Sequence, residues 1–309
     1  MPLAAIILAA GKSTRMKSQR VKVLHEICGR PMLAYVLDAA RQAGVQRIVV
    51  VVGHDRESVM REFADQSDIV WVHQSEQKGT GHAVQMCRPA FHDFVGEVFV
   101  LAGDGPLIRA QTLTQILEAH RAKNAAMTLA TSVIDNPQGY GRIVRDSTGE
   151  ILGIVEEKDA SVSQREIHEV NPSYYLFDST ALFKALDDIK PNNQKGEYYL
   201  TDTLAILRRA GQRVTALAAV PAEDILSINS RMELAVVSRV MQRRIQASVM
   251  DSGVTIVSPE NTWIEFGAKI GQDTVLEAFV WVGARAEIAP ASHVEASSVI
   301  GRGGKFPAE

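Results

Sequence analysis

Cysteine is scarce in this sequence, and an excess of one charge and long apolar segments are missing. Its 309 residues include two cysteines, Cys28 and Cys87, which have neither metal-ligand spacing nor a partner histidine cluster. A disulfide framework and a cysteine zinc site are therefore excluded, and reduced thiols favour a cytoplasmic location. Acidic residues (36) nearly balance basic ones (33), so neither a nucleic acid nor a membrane surface is an expected partner. The apolar start, residues 1–10, is too short to cross a bilayer and has no basic residue before it, so it predicts a first strand.

Patterns of nucleophiles and metal ligands are missing as well. The sequence has no Gly-x-Ser-x-Gly turn, and its eight histidines are scattered without ligand spacing. His25 and His82 are more typical of packed or hydrogen-bonded side chains than of catalysts. With 46% apolar and 22% charged residues the composition is that of a globular protein, and the length favours one large and one small domain. Chemistry must therefore be sought among polar residues at strand ends.

Short apolar strands alternate with helical segments through the first two thirds of the chain. Strands are predicted at residues 4–8, 47–52, 69–72, 98–101, 127–132, 151–155, 174–177 and 214–220. Helices are predicted at 31–43, 80–91, 110–122 and 200–210. This succession predicts an α/β fold with a mostly parallel sheet and right-handed crossovers. Ligands of such sheets bind at the carboxyl ends of the strands.

The pattern changes after residue 228. Residues 229–250 have few breakers and apolar side chains at helical spacing, which predicts a linker helix. Beyond it an apolar residue recurs at every sixth position, namely Ile264, Ile270, Leu276, Val282, Ile288, Val294 and Ile300. A six-residue period is typical of a hexapeptide parallel β-helix with about 18 residues per coil, so residues 251–309 hold roughly two coils. The predicted segments are 1–228, 229–250 and 251–309.

Three polar loops follow predicted strands. The first, Leu8-Ala9-Ala10-Gly11-Lys12-Ser13-Thr14-Arg15-Met16, suits an anion through its glycine and cations, although a basic turn between strand and helix would have the same sequence. It is not a Walker A loop, because Ile6 stands where that motif requires a glycine. In the second, the amides of Gln74 and Gln77 could bind a nucleobase, or Thr80 could cap a helix. The third places Asp104 at the rim of the sheet, either as a ligand-binding carboxylate or as a helix cap. A further stretch, Gly139-Tyr140-Gly141-Arg142, predicts a hairpin-like turn near a possible lid.

Together these motifs resemble the sugar-phosphate nucleotidyltransferases. Their nucleotide-binding signature is similar to Leu8-Ala9-Ala10-Gly11-x-x-Thr14-Arg15-Met16 followed by Lys22-Val23-Leu24. Further motifs narrow the resemblance to the bacterial bifunctional N-acetylglucosamine-1-phosphate uridyltransferase/glucosamine-1-phosphate acetyltransferase family. They are Gln74-x-x-Gln77-x-Gly79-Thr80-Gly81-His82-Ala83, Gly103-Asp104-x-Pro106-Leu107, Gly139-Tyr140-Gly141-Arg142-Ile143, Ile154-Val155-Glu156-x-Lys158-Asp159-Ala160 and Gly196-Glu197-Tyr198-Tyr199-Leu200-Thr201-Asp202. The resemblance runs from residue 1 to about residue 301.

The resemblance implies a fold, a reaction and a set of site residues. The implied fold is a Rossmann-like, mostly parallel nucleotidyltransferase domain, a linker helix and a short left-handed parallel β-helix. The implied reaction is Mg²⁺-dependent transfer of UMP from UTP to N-acetylglucosamine-1-phosphate, with Arg15, Lys22 and Asp104 as catalytic residues. The implied nucleotide contacts are Leu8, Ala9, Ala10, Gly11, Lys22, Gln74, Gln77, Gly79, Thr80, Ala102 and Gly103. The implied sugar contacts are Gly141, Glu156, Asn171 and Tyr199, and the implied Mg²⁺ ligands are Asp104 and Asn229.

Some positions depart from the pattern of this family. The chain has Asn171-Pro172-Ser173 where Asn-Thr-Gly is usual, Gly105 in place of Val, Arg20-Val21-Lys22 in place of Leu-Pro-Lys, and Ala102 in place of Tyr. These changes are expected to affect the affinity for the sugar more than the binding of the metal ion. Two alternatives are therefore a related nucleotidyltransferase that uses dTTP or another sugar phosphate, and a non-catalytic assembly protein.

The carboxyl-terminal repeats carry two further expectations. No acetyl transfer is expected, because the sequence stops at Glu309, before the coils that hold the acetyltransferase site in this family. A homotrimer is expected, because roughly two coils bury little on their own and the outer faces carry Trp263, Phe266, Phe279 and Trp281.

Overall fold

The computed structural model describes residues 1–11 and 15–301. Lys12, Ser13 and Thr14 of the first loop, and the glycine-rich tail after residue 301, lie outside the described residues. The chain forms two compact units, one of Met1–Leu24 and Met32–Ser227, the other of His25–Pro31 and the residues from Ile228 onward. The segment His25–Pro31 is thus grouped with the second unit, apart from its neighbours in sequence.

The strands of the first two thirds of the chain follow the predicted apolar runs. Their bounds are β1 Leu3–Ala9, β2 Glu26–Ile27, β3 Arg30–Pro31, β4 Arg47–Val52, β5 Ile69–His73, β6 Glu97–Ala102, β7 Met127–Val133, β8 Gly141–Arg145, β9 Ile151–Val155, β10 Glu169–Asp178 and β11 Val214–Ala218. All eight predicted strands are present. The β2–β3 hairpin and β8 were not predicted, because they lack a continuous apolar run.

A single mixed sheet organises the first unit. Its order is β11-β7-β10-β6-β1-β4-β5, with β8 and β9 attached beside β10. β1 lies parallel to both β4 and β6, and β5 lies parallel to β4. The core strands are buried on both faces, as a sheet covered by helices requires, and Ile6, Val50 and Leu101 have no more than 1% of their surface exposed. The predicted α/β fold with a mostly parallel sheet is confirmed.

β10 runs against the direction of its neighbours. It pairs antiparallel with β6, β7 and β8. The antiparallel β8–β9 hairpin, which precedes β10 in the sequence, reverses the direction of the chain between β7 and β10. The predicted hairpin-like turn at residues 139–142 is instead a turn closed by Tyr140 N–H on the carbonyl of Pro137, and it leads into β8.

Helices cover the sheet, and their bounds match the prediction where the helix is long. The helices of the first unit are α1 Met32–Gln42, α2 Arg56–Glu62, α3 Thr80–Gln85, α4 Ala110–Ala122, α5 Val162–Arg165, α6 Ser179–Asp187 and α7 Asp202–Arg209. The prediction missed α2, α5 and α6, which are short. The predicted helix 80–91 ends early, and a 3-10 turn at Arg88–Phe91 with proline in its first turn follows. Across the described ranges, no helix combines the length and apolar character needed to cross a bilayer.

The second unit contains the linker helix α8, Arg231–Asp251, and the six-residue repeats. The repeats form two-residue strands β12 Thr255–Ile256, β13 Trp263–Ile264, β14 Lys269–Ile270, β15 Val275–Leu276, β16 Trp281–Val282, β17 Glu287–Ile288, β18 His293–Val294 and β19 Val299–Ile300. They pair in parallel as three small sheets, β12-β15-β18, β13-β16-β19 and β14-β17. Trp263 pairs with Trp281 and Trp281 with Val299, so successive coils are 18 residues apart. The predicted parallel β-helix is confirmed.

Two buried glutamines of α8 contact the first coil. Gln242 Nε2 donates to the carbonyl of Ile264, and the N–H of Ile264 donates to Gln242 Oε1 at 3.0 Å. Gln246 Nε2 donates to the carbonyl oxygens of Pro259 at 2.8 Å and Thr262 at 2.7 Å. The side-chain amides of α8 therefore bind backbone groups of the first coil on the side that faces away from the later coils.

Candidate nucleotidyl-transfer site

Three parallel strands end together in small residues at one edge of the sheet. Leu8 of β1 pairs with Val51 of β4 and with Ala102 of β6. The carboxyl ends are packed so closely that the N–H of Gly103 donates to the carbonyl of Leu8 at 2.9 Å. A methyl group on Gly53 would lie 2.7 Å from the carbonyl oxygen of Ala10, so only glycine fits there. The residues expected to line the nucleotide in β1 and β6 do lie side by side.

Lys22 and Asp104 form an ion pair at this edge. Asp104 follows β6, and Lys22 begins a 3-10 turn after the first loop. Nζ of Lys22 contacts Oδ2 of Asp104, with 10% of the lysine and 25% of the aspartate side chain exposed. The alternative of Asp104 as a helix cap is wrong, since α4 begins at Ala110 with Arg109 as its N-cap residue. The structure thus brings two of the three predicted catalytic side chains into direct contact.

The second loop closes on β1 and β4 through its glutamines. The buried Gln74 donates its N–H to the carbonyl of Val52 at 2.8 Å and its Nε2 to the carbonyl of Gly79 at 3.1 Å. Gln77 Nε2 donates to the carbonyl of Ala10. Both amide nitrogens therefore bind protein carbonyls, and the glutamines fix the shape of the loop.

The segment around Tyr198 fits tightly against the same loop. The N–H of Gly81 donates to the carbonyl of Tyr198, and the N–H of Tyr198 to the carbonyl of Lys78, both at 2.8 Å. Gly79 has φ +109°, and a Cβ there would lie 2.5 Å from the carbonyl oxygen of Tyr198. Thr80 does not cap α3 with its side chain. Its hydroxyl accepts the N–H of Leu200 at 3.0 Å instead.

A second group of polar residues surrounds Glu156. Gly141 of β8 pairs with Asn171 of β10, and a Cβ on Gly141 would lie 3.7 Å from the Glu156 carboxyl group. The hydroxyl of Thr201 donates to Oε1 of Glu156 at 3.4 Å. Burial raises the pKa of Glu156, and the hydrogen bond from Thr201 opposes that shift. We call Gly141, Glu156, Asn171 and Thr201 the Glu156 cluster.

Three predicted site residues, Tyr199, Arg15 and Asn229, are described separately from the ion pair and the Glu156 cluster. Tyr199 is half-buried, and burial followed by the charges of Glu197 and Glu156 raises its pKa. Arg15 is exposed. Asn229, the second implied metal ligand, belongs to the second unit, where its N–H donates to Oε2 of Glu233 at 2.6 Å before α8. Within residues 1–11 and 15–301, no group of three or more His, Cys, Asp or Glu side chains could hold a metal ion by itself.

A polar cavity that was not predicted from the sequence lies beside this edge. It has a volume of about 550 Å³ and is lined by Gly53, His54, Asp55, Arg56, Glu57, His73, Gln74, Ser75 and Gln77. Nη1 of Arg56 lies 2.8 Å from Nδ1 of His73. The cavity opens at the carboxyl ends of β4 and β5, the edge at which the sequence predicts ligand binding.

Comparison with known proteins identifies the family of this chain. Residues 5–255 match the MobA-like NTP transferase domain. The chain belongs to that family. It is 46% identical over 299 residues to the bifunctional protein GlmU of Heliobacterium modesticaldum, which covers 97% of this chain and 62% of that protein. It is 42% identical over 298 residues to the bifunctional protein GlmU of Geotalea daltonii, covering 96% of this chain and 65% of that protein.

A solved structure shares the fold of this nucleotidyltransferase. A crystal structure of UDP-glucose pyrophosphorylase complexed with UDP-glucose superposes with a TM-score of 0.64 at 18% identity, covering 79% of this chain and 100% of the other. The chain spans less than two thirds of the length of the two bifunctional GlmU proteins. Residues 5–255, the part that matches the family, therefore form an NTP transferase domain.

Proposed function

We propose that the chain transfers UMP from UTP to N-acetylglucosamine-1-phosphate, with release of pyrophosphate and a requirement for Mg²⁺. The observation that carries this proposal is the Lys22–Asp104 ion pair at the glycine-lined ends of β1 and β6. A lysine and a carboxylate side by side are the groups needed to hold a nucleoside triphosphate and its metal ion. The bifunctional relatives point to the sugar.

The reaction needs alignment and charge neutralisation more than proton transfer. A phosphate oxygen of the sugar phosphate attacks the α-phosphorus of UTP, a new P–O bond forms, and the bond to pyrophosphate breaks. The second pKa of a phosphate monoester is about 6, so the attacking oxygen is already mostly ionised at pH 7. No general base is required, which fits a site without a histidine in a catalytic position. Lys22 and Arg15 would stabilise the charge that develops on the phosphates.

Asp104 suits a magnesium ion in its chemistry. Mg²⁺ prefers hard oxygen ligands and is often held by one or two carboxylates together with substrate phosphates and water. The Asp104 carboxylate is partly exposed and therefore open to such an ion. Bound there, Mg²⁺ would supply positive charge at the phosphates. Lys22 is paired with Asp104 and would contact the phosphates once an ion occupies the carboxylate.

The other substrate contacts would divide between the two polar regions. The loop from Gln74 to Thr80 would surround the uracil, and the Glu156 cluster would bind the sugar. The carboxylate of Glu156 is an acceptor for sugar hydroxyl groups, and Asn171 can both donate and accept. The segment Tyr198–Thr201 touches both regions, so it would place the two substrates side by side.

Pyrophosphate release from purified protein tests this proposal. UTP and dTTP are each combined with N-acetylglucosamine-1-phosphate and glucose-1-phosphate, with Mg²⁺ and with excess EDTA. The fastest release is expected for UTP with N-acetylglucosamine-1-phosphate and Mg²⁺, and none with EDTA. Preference for another pair would indicate a related nucleotidyltransferase. Absence of turnover with every pair would favour a non-catalytic assembly protein.

We also propose that the second unit forms a homotrimer and that this chain does not transfer acetyl groups. The exposed Phe279, with 62% of its surface in contact with solvent, and the stacked Trp263 and Trp281 offer apolar surface on the outside of the β-helix. Light scattering at micromolar concentration should give three times the mass of the chain. A monomer would contradict the trimer, and acetylation of glucosamine-1-phosphate by acetyl-CoA would contradict the second statement.

A further inference from the structure

β10 contains a bulge next to the Glu156 cluster. Val170 pairs with Ser132 of β7 and Tyr174 with Ala130, so β10 advances four residues while β7 advances two. Pro172 and Ser173 lie in this bulge, and Ser173 has φ +66°, a conformation that residues other than glycine adopt rarely. The tight turn directs the N–H of Ser173 back to Oδ1 of Asn171 at 3.0 Å. The bulge therefore holds one end of the Asn171 carboxamide.

Tyr175 holds the other end. Nδ2 of Asn171 donates to the phenolic oxygen of Tyr175 at 2.6 Å. Because the N–H of Ser173 can only meet an acceptor, the positions of oxygen and nitrogen in the carboxamide are fixed by its two partners. Asn171 and Tyr175 have 6% and 3% of their surface exposed, so water competes little for these hydrogen bonds.

The phenol is also close to the rest of the cluster. The side chain of Ser173 is a second hydrogen-bond neighbour of Tyr175, and the charge of Glu156 is near enough to raise the pKa of the phenol further after burial has raised it. Tyr175 thus stays protonated and accepts a hydrogen bond from Asn171. Once clamped, Asn171 keeps one Nδ2 hydrogen and one Oδ1 lone pair for a ligand.

We propose that Tyr175 is a positioning residue for sugar-phosphate binding, and that it acts by holding the Asn171 carboxamide in its binding orientation. This inference rests on the function proposed above. Tyr175 would touch no substrate itself. Its effect should therefore appear on the sugar phosphate and not on the nucleotide, and it should vanish when the side chain of Asn171 is removed.

The test compares Tyr175→Phe with Tyr174→Phe. Tyr174 is the matched control, because it is equally buried and its hydroxyl donates to the carbonyl of Asp224 at 3.0 Å, away from Asn171. For Tyr175→Phe the KM for the sugar phosphate should rise about 5- to 10-fold, the factor that one buried hydrogen bond supplies, with the KM for UTP changed less than about twofold. Tyr174→Phe should leave both KM values within about twofold of the unmodified chain.

A double-mutant cycle separates positioning from a general loss of stability. In the Asn171→Ala background, Tyr175→Phe should change the KM for the sugar phosphate less than about twofold, because the group it positions is gone. An undiminished effect in that background, or equal rises in both KM values, would overturn the inference. If the unmodified chain turns over no sugar phosphate, the proposed function is overturned, and the inference on Tyr175 falls with it. If the unmodified chain is active and Tyr175→Phe gives one of the two results above, only the inference on Tyr175 is overturned.

Discussion

Replacing Gln242 should lower the free energy of unfolding of the second unit, because its side-chain amide makes the hydrogen bonds that a neighbouring strand would make. β13 is the outermost strand of its small sheet, and its N–H groups at Trp263 and Glu265 donate to Val280 and Val282 of the next coil. The N–H and carbonyl of Ile264 point the other way, where no coil precedes, and both bind the amide of Gln242. The primary amide of glutamine thus replaces one peptide group of a strand.

The magnitude follows from what Gln242→Met leaves behind. Methionine has similar length and volume but neither donates nor accepts strongly, so two backbone groups of the fully buried Ile264 lose their partners. Each buried unsatisfied group costs about 1–3 kcal/mol, and the extra apolar surface returns roughly 1 kcal/mol. The expected loss of unfolding free energy for the second unit is therefore about 1–5 kcal/mol.

Tryptophan fluorescence during urea unfolding can report on this unit alone. The chain has three tryptophans, and Trp71→Phe removes the one in the first unit, leaving the stacked pair Trp263 and Trp281. In that background Gln242→Met should lower the midpoint of the transition. The control is Gln115→Met, the same chemical change at an exposed position of α4. If both variants have the same midpoint, the amide of Gln242 does not stabilise the first coil.

Three further predictions concern the site. Asp104→Ala should retain less than about a tenth of the turnover at saturating Mg²⁺ with the urea midpoint nearly unchanged, and higher turnover would contradict its role at the metal. Gly79→Ala should destabilise the first unit by about 1–3 kcal/mol in urea unfolding, because its φ suits only glycine and its Cβ would meet the carbonyl of Tyr198, whereas Gly153→Ala, with open space around it, should be tolerated. Burial raises the pKa of Glu156, so the folded state holds this proton more tightly than the unfolded state, and stability falls as pH rises through the folded pKa. Glu156→Gln should therefore be more stable than the unmodified chain at pH 7, by a margin that shrinks towards pH 4, and a margin independent of pH would refute the assignment.

Patterns of neighbouring residues were sufficient to predict the elements whose burial repeats regularly along the sequence. Continuous apolar runs identified β1, β4 and β6 because strands buried on both faces need apolar residues at every position. The period of six identified the β-helix for a similar reason, since one residue in each six-residue step points inward. The ends of the strands then placed Asp104 and the first loop at one edge of the sheet.

Features that depend on distant parts of the chain were not accessible in this way. Nothing near Gly79 in the sequence indicates that Tyr198 will occupy the space where a side chain would stand. The clamp on Asn171 needs the φ of Ser173 and the burial of Tyr175, neither of which has a sequence pattern. The grouping of His25–Pro31 with the second unit likewise depends on contacts with residues more than 200 positions later, such as the bond from Gln242 Nε2 to Sγ of Cys28 at 3.2 Å.

The two polar regions of the first unit are joined by one short stretch of backbone. The carbonyl of Tyr198 receives the N–H of Gly81, and the N–H of Leu200 reaches the hydroxyl of Thr80, so the stretch is fixed to the proposed nucleotide loop. One residue later, the hydroxyl of Thr201 donates to Glu156 in the proposed sugar site. The same four residues thus carry hydrogen bonds to the loop of residues 74–81 and to the Glu156 carboxylate. The two polar regions are therefore joined by hydrogen bonds of residues 198–201.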